Sequence, residues 1–342
     1  MIKQKQNSIS LDSIAAECGV SPMTVSRALR QLPTVSEETR KRIFEVAAHL
    51  GYLRTTRAGR KATLHEQLHS RPVQIIAGEG REGMGRFHSE LTLSLVRLLA
   101  SKRYECIIRV SDGNYKEFTR MLATAGKADV EASLIIGNFS EKERRSLLTA
   151  LPGAILLDDT GKDVIESVYS SFSFDNTRAA ALAMKHFLSS GHRRIALVSG
   201  PKEHFFTREI ETGYRDSLSG AGIQADESLI CYTDFTAAAA ANAVESLLKR
   251  NVKFDAVFTN DEMAGGVYRP LLKRGIRIPE DVAVCGCDGL PVGEQLYPQL
   301  TTIILDYKQL ARQVIDKITN QDLALTPVRV RLLPFLKIRE SA

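Results

Sequence analysis

The sequence has 342 residues, of which 44% are hydrophobic and 25% are charged, and its formal net charge is +6. This length suits a small domain joined to a larger, two-lobed one. No stretch reaches the roughly 18 apolar residues that span a membrane, and the polar first ten residues lack the apolar core of a secretion signal. Five cysteines without framework spacing suit a reducing compartment, so we expect a cytoplasmic protein.

The positive charge is concentrated at the N-terminus. Residues 1–61 contain 11 Lys or Arg and 5 Asp or Glu, whereas residues 62–342 contain 35 of each sign. Such a basic segment favours a polyanionic partner, because each phosphate that it neutralises releases bound counterions. A basic, solvated tail is the alternative, but the hydrophobic pattern of the segment argues against it.

Three short helices are predicted in this basic segment. The first covers Ser10 to Cys18 and ends at Gly19; the second begins at Pro22 after the capping residue Ser21 and ends at Leu29. The third follows Ser36 and carries an apolar stripe as far as Leu50. Two helices joined by a glycine-containing turn, with a third packed on both, predict a helix-turn-helix; a three-helix scaffold without DNA binding is the alternative.

The second helix is short enough to enter a DNA major groove, which is about 12 Å wide. The hydroxyls of Ser21, Thr24 and Ser26 suit contacts to phosphate, and Arg27 suits contacts to a base or a phosphate. The segment therefore predicts contact with double-stranded DNA through this helix.

The segment also resembles the DNA-binding headpiece of the lactose-repressor (LacI/GalR) family, through the stretches 19–29, 35–40 and 50–52. The resemblance implies that Pro22, Met23 and Arg27 read bases and that Thr39 contacts phosphate. In that family a hinge helix follows the headpiece and wedges a leucine into the minor groove. Here Ala58 fits the hinge pattern, whereas Lys61 occupies the wedge position. We therefore expect a weaker kink in the DNA and a stronger dependence of binding on salt.

Two motifs elsewhere match patterns of other protein classes. Residues 65–69 fit the zinc pattern H-E-x-x-H, but they lie in a charged linker without an evident third ligand. Residues 78–83 fit the dinucleotide pattern G-x-G-x-x-G, but Glu79 and Glu82 would repel a pyrophosphate. We interpret the first as a solvated turn and the second as a loop that lines the cleft of a different ligand, and we expect no metal and no cofactor.

From residue 73 onward, apolar strands alternate with amphipathic helices, and the alternation breaks near residues 171–175 and then restarts. This pattern predicts an α/β fold with two doubly wound parallel sheets, as in periplasmic binding proteins. The predicted domains are a helix-turn-helix at 1–53, a linker at 54–72 and an effector and dimerisation domain at 73–342. We place the first lobe at about 73–171 and 305–334, and the second lobe at about 172–304 and 335–342.

Ligands of such sheets bind at the carboxyl ends of the strands. Those ends carry Asp158, Ser199, Asn260 and Asp288, whose side chains suit sugar hydroxyls but also commonly cap helices. No catalytic triad, paired acid and base or redox-active cysteine pair stands out, so no catalytic residue is predicted.

The resemblance to the LacI/GalR family extends over residues 9 to 342. It rests on the stretches 174–180, 191–196, 213–215, 259–261, 278–288 and 300–303, which match that family in order and spacing. It implies a homodimer that binds an effector between its lobes. It also implies that Asp158, Asn260 and Asp288 hydrogen-bond the effector while Phe235 and Tyr307 pack on it. Ile210 stands where the family usually has an arginine.

These observations predict a transcriptional regulator, acting as a repressor of carbohydrate genes, that binds pseudo-palindromic operator DNA and responds to a sugar-like effector. The lost arginine and the nearby Arg81 and Arg86 also raise the hypothesis of an anionic effector, unless Glu79 and Glu82 simply pair with these arginines at the surface. A periplasmic sugar-binding protein is disfavoured by the basic helix-turn-helix, and a dinucleotide-dependent enzyme remains a third alternative.

Overall fold

The computed structural model describes residues 11–29, 34–50, 71–79, 84–111, 113–159, 169–320 and 326–342, together with the backbone of two short strands at 53–55 and 61–63. These residues form two compact units, Met1–Pro72 and Val73–Ala342. Within the described residues, no helix is both long and apolar enough to cross a membrane.

The described part of the first unit contains three helices, α1 (Leu11–Cys18), α2 (Pro22–Leu29) and α3 (Glu37–His49). Their buried side chains form one small core, which includes Ile14, Val25 and Ile43. These residues lie on the apolar face that the helical periodicity predicts, so burial of one stripe per helix explains the three-helix arrangement.

The linker contains β1 (Leu53–Thr55) and β2 (Lys61–Thr63), which pair as antiparallel strands with Thr55 opposite Lys61. The resemblance implied a hinge helix, and the structure places strands at these six residues instead. Gly59, whose low helix propensity already weakened the expectation of a hinge helix, lies outside the described residues. Ala58, like residues 65–69 of the zinc-like motif, lies outside the described residues.

The first lobe contains a six-stranded sheet with the strand order β13-β7-β6-β5-β3-β4. Helices α4 and α11 pack on one face through residues such as Leu95 and Leu310, and α5 and α6 pack on the other through Phe118 and Leu147. All strand pairs in this sheet are parallel. The elements are β3 (Val73–Gly78), α4 (Arg86–Ser101), β4 (Cys106–Ser111), α5 (Tyr115–Ala125), β5 (Ala132–Gly137), α6 (Glu141–Ala150), β6 (Ile155–Leu157), β7 (Ser170–Phe174), α11 (Tyr307–Thr319) and β13 (Arg329–Leu332).

The second lobe repeats this architecture with the strand order β14-β12-β11-β10-β8-β9. Helices α7 and α8 cover one face of its sheet, and α9 and α10 cover the other. Its pairs are parallel except that β14 runs antiparallel to β12 at the edge. The elements are α7 (Asn176–Ser189), β8 (Ile195–Ser199), α8 (Phe205–Gly220), β9 (Ile230–Tyr232), α9 (Ala237–Lys249), β10 (Ala256–Phe258), α10 (Asp261–Lys273), β11 (Ala283–Asp288), β12 (Thr301–Ile304) and β14 (Phe335–Lys337).

The predicted boundary between the lobes at residues 171 and 172 is wrong by a few residues. It falls inside β7, in which every residue is paired with β6 or with β13 of the first lobe. The first lobe therefore continues to Phe174, and the chain enters the second lobe at α7.

Candidate functional sites

The turn between α1 and α2 gives α2 its exposed position in the first unit. Gly19 adopts a φ of +65°, which glycine tolerates without a steric penalty, and the chain then reverses into α2. Val25, Ala28 and Leu29 are buried, whereas Pro22, Met23 and Arg27 are exposed. Met23 is 61% exposed, which is unusual for a large apolar side chain. The three residues that the resemblance assigned to base reading therefore share one open face of α2.

The hydroxyls predicted to contact phosphate partly serve the helix ends. Ser21 Oγ accepts a hydrogen bond from the Thr24 backbone N–H at 3.1 Å and lies 2.8 Å from Thr24 Oγ1. Ser36 Oγ likewise accepts from the Thr39 N–H at 3.3 Å and donates to Thr39 Oγ1 at 2.8 Å. Both pairs thus cap α2 and α3, and they place hydroxyls beside two helix N-termini, where an anion is stabilised. Ser26 is half-buried on α2.

In the second unit, Asp158 follows β6 and is held by a neighbouring histidine. His88 Nε2, on α4, lies 3.1 Å from Asp158 Oδ2, and both side chains are largely buried. Burial raises the pKa of Asp158, while the hydrogen bond to His88 opposes that shift. A hydroxyl-bearing ligand that reaches this carboxylate would replace part of the lost water.

Asp288 ends β11 in the second lobe and is only 6% exposed. Among the described residues, no group hydrogen-bonds its carboxylate. Burial raises the pKa of Asp288 well above its usual value, and the carboxylates of Asp261 in the same lobe and Asp158 in the other lobe raise it further. The carboxylate of Asp158 therefore acts on that of Asp288 across the interface between the lobes.

Three of the five residues predicted to contact the effector adopt left-handed backbone conformations. The φ angles are +52° at Asp158, +69° at Phe235 and +123° at Asp288. Such conformations each cost about 1–3 kcal/mol in residues other than glycine, and they concentrate at ligand sites. Asp158, Phe235 and Asp288 lie after strands of their sheets, whereas Arg103 and Asn251, which also have positive φ angles, lie just after α4 and α9.

Phe235 and Tyr307 supply aromatic surface to the two lobes. The Phe235 ring lies directly over Gly200, at the end of β8, where any Cβ atom would overlap the ring. Tyr307, at the start of α11, is half-buried and packs edge to face against Phe87 at 6.2 Å between ring centroids. Both rings remain partly exposed, as residues that pack on a ligand should be.

Asn260 is a helix cap and a candidate ligand at once. Its Oδ1 accepts a hydrogen bond from the Met263 N–H at 3.0 Å and so caps α10, which was the alternative reading of this residue. Its side-chain nitrogen still has two donor hydrogens. Asn260 can therefore donate to a ligand oxygen beside the Asp288 acceptor.

The structure also reveals contacts between the lobes that the sequence did not predict. Nε2 of His204, the residue before α8, lies 3.2 Å from Oδ1 of Asn138, the residue after β5. The Arg86 N–H donates to Glu262 Oε2 at 3.0 Å, and Arg331 donates to Glu209 Oε1 at 2.7 Å. Asn138 could have been found by the strand-end rule, whereas nothing in the sequence marks His204.

The glycine-rich loop and the lost arginine have structural explanations. A Cβ at Gly78 would lie 2.6 Å from the Asn138 carbonyl oxygen, so this glycine allows β3 and β5 to approach closely. Ile210, on α8, is buried in the hydrophobic core. Arg86 is exposed, and Arg81 lies outside the described residues. Within the described part of the chain, no cluster of His, Cys, Asp and Glu has metal-site geometry.

Two family models match the chain in the same order as its two structural units. The model for bacterial regulatory proteins of the lacI family matches residues 10–55, and the model for a periplasmic binding protein-like domain matches residues 184–342. The chain belongs to the lacI family of bacterial regulatory proteins. The resemblance to the LacI/GalR family and the fold class predicted from the sequence are therefore confirmed.

Relatives of this lacI-family chain match over nearly their full lengths. The transcriptional regulator CelR of Thermobifida fusca is 28% identical over 97% of this chain and 98% of its own. The ribose operon repressor of Escherichia coli is 27% identical over 97% of this chain and 99% of its own. Both relatives are named as regulators of transcription, and each match spans both structural units of this chain.

Solved structures of the family give the same result. A complex of CelR with cellobiose matches with a TM-score of 0.71 and 28% identity, over 98% of this chain and all of that chain. The lac repressor dimer bound to operator and an anti-inducer matches with a TM-score of 0.69 and 22% identity, over 98% and 99% of the two chains. The second likeness establishes the fold alone.

Proposed function

We propose that the chain is a cytoplasmic, homodimeric repressor that binds a pseudo-palindromic operator through α2 and responds to a neutral carbohydrate held between its lobes. The observation that carries the proposal is the pair Asp158 and Asp288, two buried carboxylates on opposite lobes, of which Asp158 raises the pKa of Asp288. Carboxylates accept hydrogen bonds from hydroxyls, and flat aromatic faces pack on sugar rings.

The charges of the cleft favour a neutral ligand over an anion. Asp158 and Asp288 are hydrogen-bond acceptors that already raise each other's free energy when ionised. A carboxylate or phosphate on the effector would add a third negative charge to the same buried space. The arginines that suggested an anionic effector do not offset this, because the described one, Arg86, is exposed. Two similar proteins, CelR in its complex with cellobiose and the ribose operon repressor, agree with a sugar as effector.

The mechanism follows from two states of the cleft. A sugar that contacts both lobes stabilises the closed arrangement more than the open one, so it shifts the population between them. In a homodimer this shift changes how two DNA-binding units fit two half-sites, which couples the sugar to the operator.

The DNA half of the proposal is tested with Arg27→Ala. Operator affinity, measured by fluorescence anisotropy on a duplex selected from a random library, should fall by about 1–3 kcal/mol if Arg27 reads a base. Arg312→Ala, an exposed arginine of α11, is the matched control and should leave the affinity unchanged. Equal operator binding by wild type and Arg27→Ala would refute the assignment of α2.

The effector half is tested by calorimetric titration with ribose, cellobiose and their phosphorylated or acidic derivatives. We expect a neutral sugar to bind and to change operator affinity, with no gain from an added negative charge. Tight binding of only the anionic derivatives, lost in an Arg81→Ala, Arg86→Ala double variant, would overturn the neutral-effector proposal and restore the anionic one.

A further inference from the structure

His204 joins the two lobes at the cleft. It lies between β8 and α8 in the second lobe, and its Nε2 is 3.2 Å from Oδ1 of Asn138, which follows β5 in the first lobe. Since each residue directly follows or precedes an element of its own sheet, any separation of the lobes breaks this hydrogen bond.

The Asn138 contact fixes the tautomer of the His204 ring. An amide oxygen only accepts hydrogen bonds, so Nε2 carries the proton and Nδ1 of the neutral ring keeps its lone pair. His204 Nδ1 is buried and has no hydrogen-bond partner among the described residues. A buried acceptor without a donor costs free energy, and a ligand hydroxyl placed beside it would remove that cost.

Aromatic neighbours hold the ring in position. Phe205 and Phe235 each lie 5.0 Å from the His204 ring centroid, and Phe235 packs at right angles to it. Phe235 is itself one of the residues predicted to pack on the effector. The orientation of His204 is therefore linked to the same loop that forms the effector site.

The surroundings of His204 oppose a positive charge. Burial is the main cause that lowers its pKa to about 4, and the charges of His88 on α4, Arg144 on α6 and Arg208 on α8 lower it further. Arg144 is paired with Asp159 at 2.7 Å, so it stays in place beside the ring. With the lobes in contact through His204 and Asn138, the neutral imidazole is thus strongly favoured above about pH 4.

We propose that His204 is a positioning residue of the effector site, which closes the cleft only as a neutral ring that donates to Asn138 and offers Nδ1 to an effector hydroxyl. This inference rests on the proposed function for the identity of the ligand, but the closure itself depends on the chain alone. It makes closure, and with it effector binding, a proton-releasing step.

The sign of the pH effect follows from the two states. An imidazole in an open, hydrated cleft has a pKa of about 6.5, whereas the closed cleft lowers the pKa of His204 to about 4. The closed state therefore binds fewer protons, so closure is favoured as the pH rises and is lost as the pH falls below about 6.5. Between pH 7 and pH 5 the equilibrium constant for closure should fall by about 25-fold.

The first test is histidine nitrogen NMR on the full-length protein without effector, in which His204 is assigned by its absence in His204→Gln. We expect the Nε2–H tautomer and a pKa well below 6, with a rise toward 6.5 in Asn138→Ala. His192, on the second lobe, serves as the control, and its ring nitrogen signals should be the same in wild type and Asn138→Ala at each pH. A pKa of His204 near 6.5 in the wild type, or a pKa that is the same in wild type and Asn138→Ala, would overturn the proposal.

The second test measures closure by small-angle scattering at pH 7 and pH 5. The wild type should expand at pH 5, whereas His204→Gln, whose neutral amide still donates to Asn138, should keep one radius of gyration at both pH values. His192→Gln should behave like the wild type. Equal expansion of the wild type and His204→Gln would refute the role of His204, and because neither DNA nor sugar is present, this failure is distinct from a failure of the proposed function.

Discussion

Asp261 Oδ1 accepts a hydrogen bond from Thr302 Oγ1 at 2.5 Å, and both residues are fully buried. The second carboxylate oxygen accepts from the Leu290 N–H at 2.7 Å, in the turn that follows β11. Asp261 thereby fixes the path of the chain immediately after Asp288, whose φ of +123° needs such support. The residue next to the predicted ligand Asn260 is therefore structural, and it positions a second predicted ligand.

Thr302→Val removes one donor from this carboxylate. We expect a loss of about 1–3 kcal/mol in the free energy of unfolding, because Asp261 stays buried with fewer partners. Burial raises the pKa of Asp261 and the Thr302 hydrogen bond opposes the shift, so the variant raises that pKa further. A folded-state pKa above the unfolded one means that stability falls as the pH rises, so the loss should be larger at pH 8 than at pH 5.

The measurement is urea unfolding at these two pH values. Thr212→Val is the matched control, since Thr212 is exposed and donates only to the backbone oxygen of its own helix. The control should change stability by no more than about 0.5 kcal/mol. A loss in Thr302→Val that is independent of pH would show that the hydroxyl does not act through Asp261.

Asp288→Asn separates sensing from stability. The pKa of Asp288 is raised by burial and by neighbouring carboxylates, so the ionised side chain destabilises the folded state at neutral and higher pH. We expect Asp288→Asn to gain about 1 kcal/mol of unfolding free energy at pH 8 and little near pH 3, where the carboxyl group is largely protonated in both the folded and the unfolded state. We also expect the effector response to be lost, because an amide accepts fewer hydroxyl donors than a carboxylate.

The two readouts are thermal unfolding and the effect of a bound sugar on operator affinity. Asp216→Asn, an exposed position on α8, is the control for both. Operator affinity without sugar should stay within a few-fold of the wild type. A variant that unfolds more readily at pH 8, or that responds normally to the sugar, would contradict the placement of Asp288 in the cleft.

Much of this site could be predicted because the relevant signals are local. Continuous apolar runs and amphipathic stretches of period 3.6 give the strands and helices, and parallel topology then places Asp158 in one sheet, and Asn260 and Asp288 in the other, at the carboxyl ends of their strands. The lobe boundary could not be placed correctly for a physical reason. Strand β7 has the sequence Ser-Ser-Phe-Ser-Phe, and this polar composition suggested a break in the alternation of strands and helices. In the structure, its three serines are buried in the first-lobe sheet. The contact of His204 with Asn138 joins residues 66 positions apart, and only the tertiary fold creates it.

Gly200→Ala should damage the effector site through Phe235. The added methyl group would overlap the Phe235 ring, which must then move from its position beside His204. Overpacking of this kind costs about 1–3 kcal/mol of stability. We expect a weaker effector affinity together with a lower melting temperature.

Gly220→Ala provides the matched control, because it lies at the end of α8 with nothing within 4 Å of the added Cβ. That substitution should leave stability unchanged or raise it by up to about 1 kcal/mol, since alanine favours the helix. Calorimetry and thermal unfolding of both variants give the comparison. Equal sugar affinity in Gly200→Ala and the wild type would exclude Phe235 from the site.

Lys61 should make operator binding more sensitive to salt. It occupies the position at which the resemblance to the LacI/GalR family implies a wedging leucine, and its backbone lies in β2 opposite Thr55. A lysine next to a DNA phosphate adds about 0.9 to the slope of log K against log salt concentration, so a dimer should lose about 1.8 in Lys61→Ala. Lys127→Ala, an exposed lysine of the second unit, should leave the slope unchanged.

Energy transfer between dyes at the operator ends tests the bend: we expect a shallow bend in the wild type and a sharper central kink in Lys61→Leu, where an apolar wedge is restored. A sharp kink in the wild type that Lys61→Ala leaves intact, with no change in slope, would contradict the placement of Lys61 at the DNA.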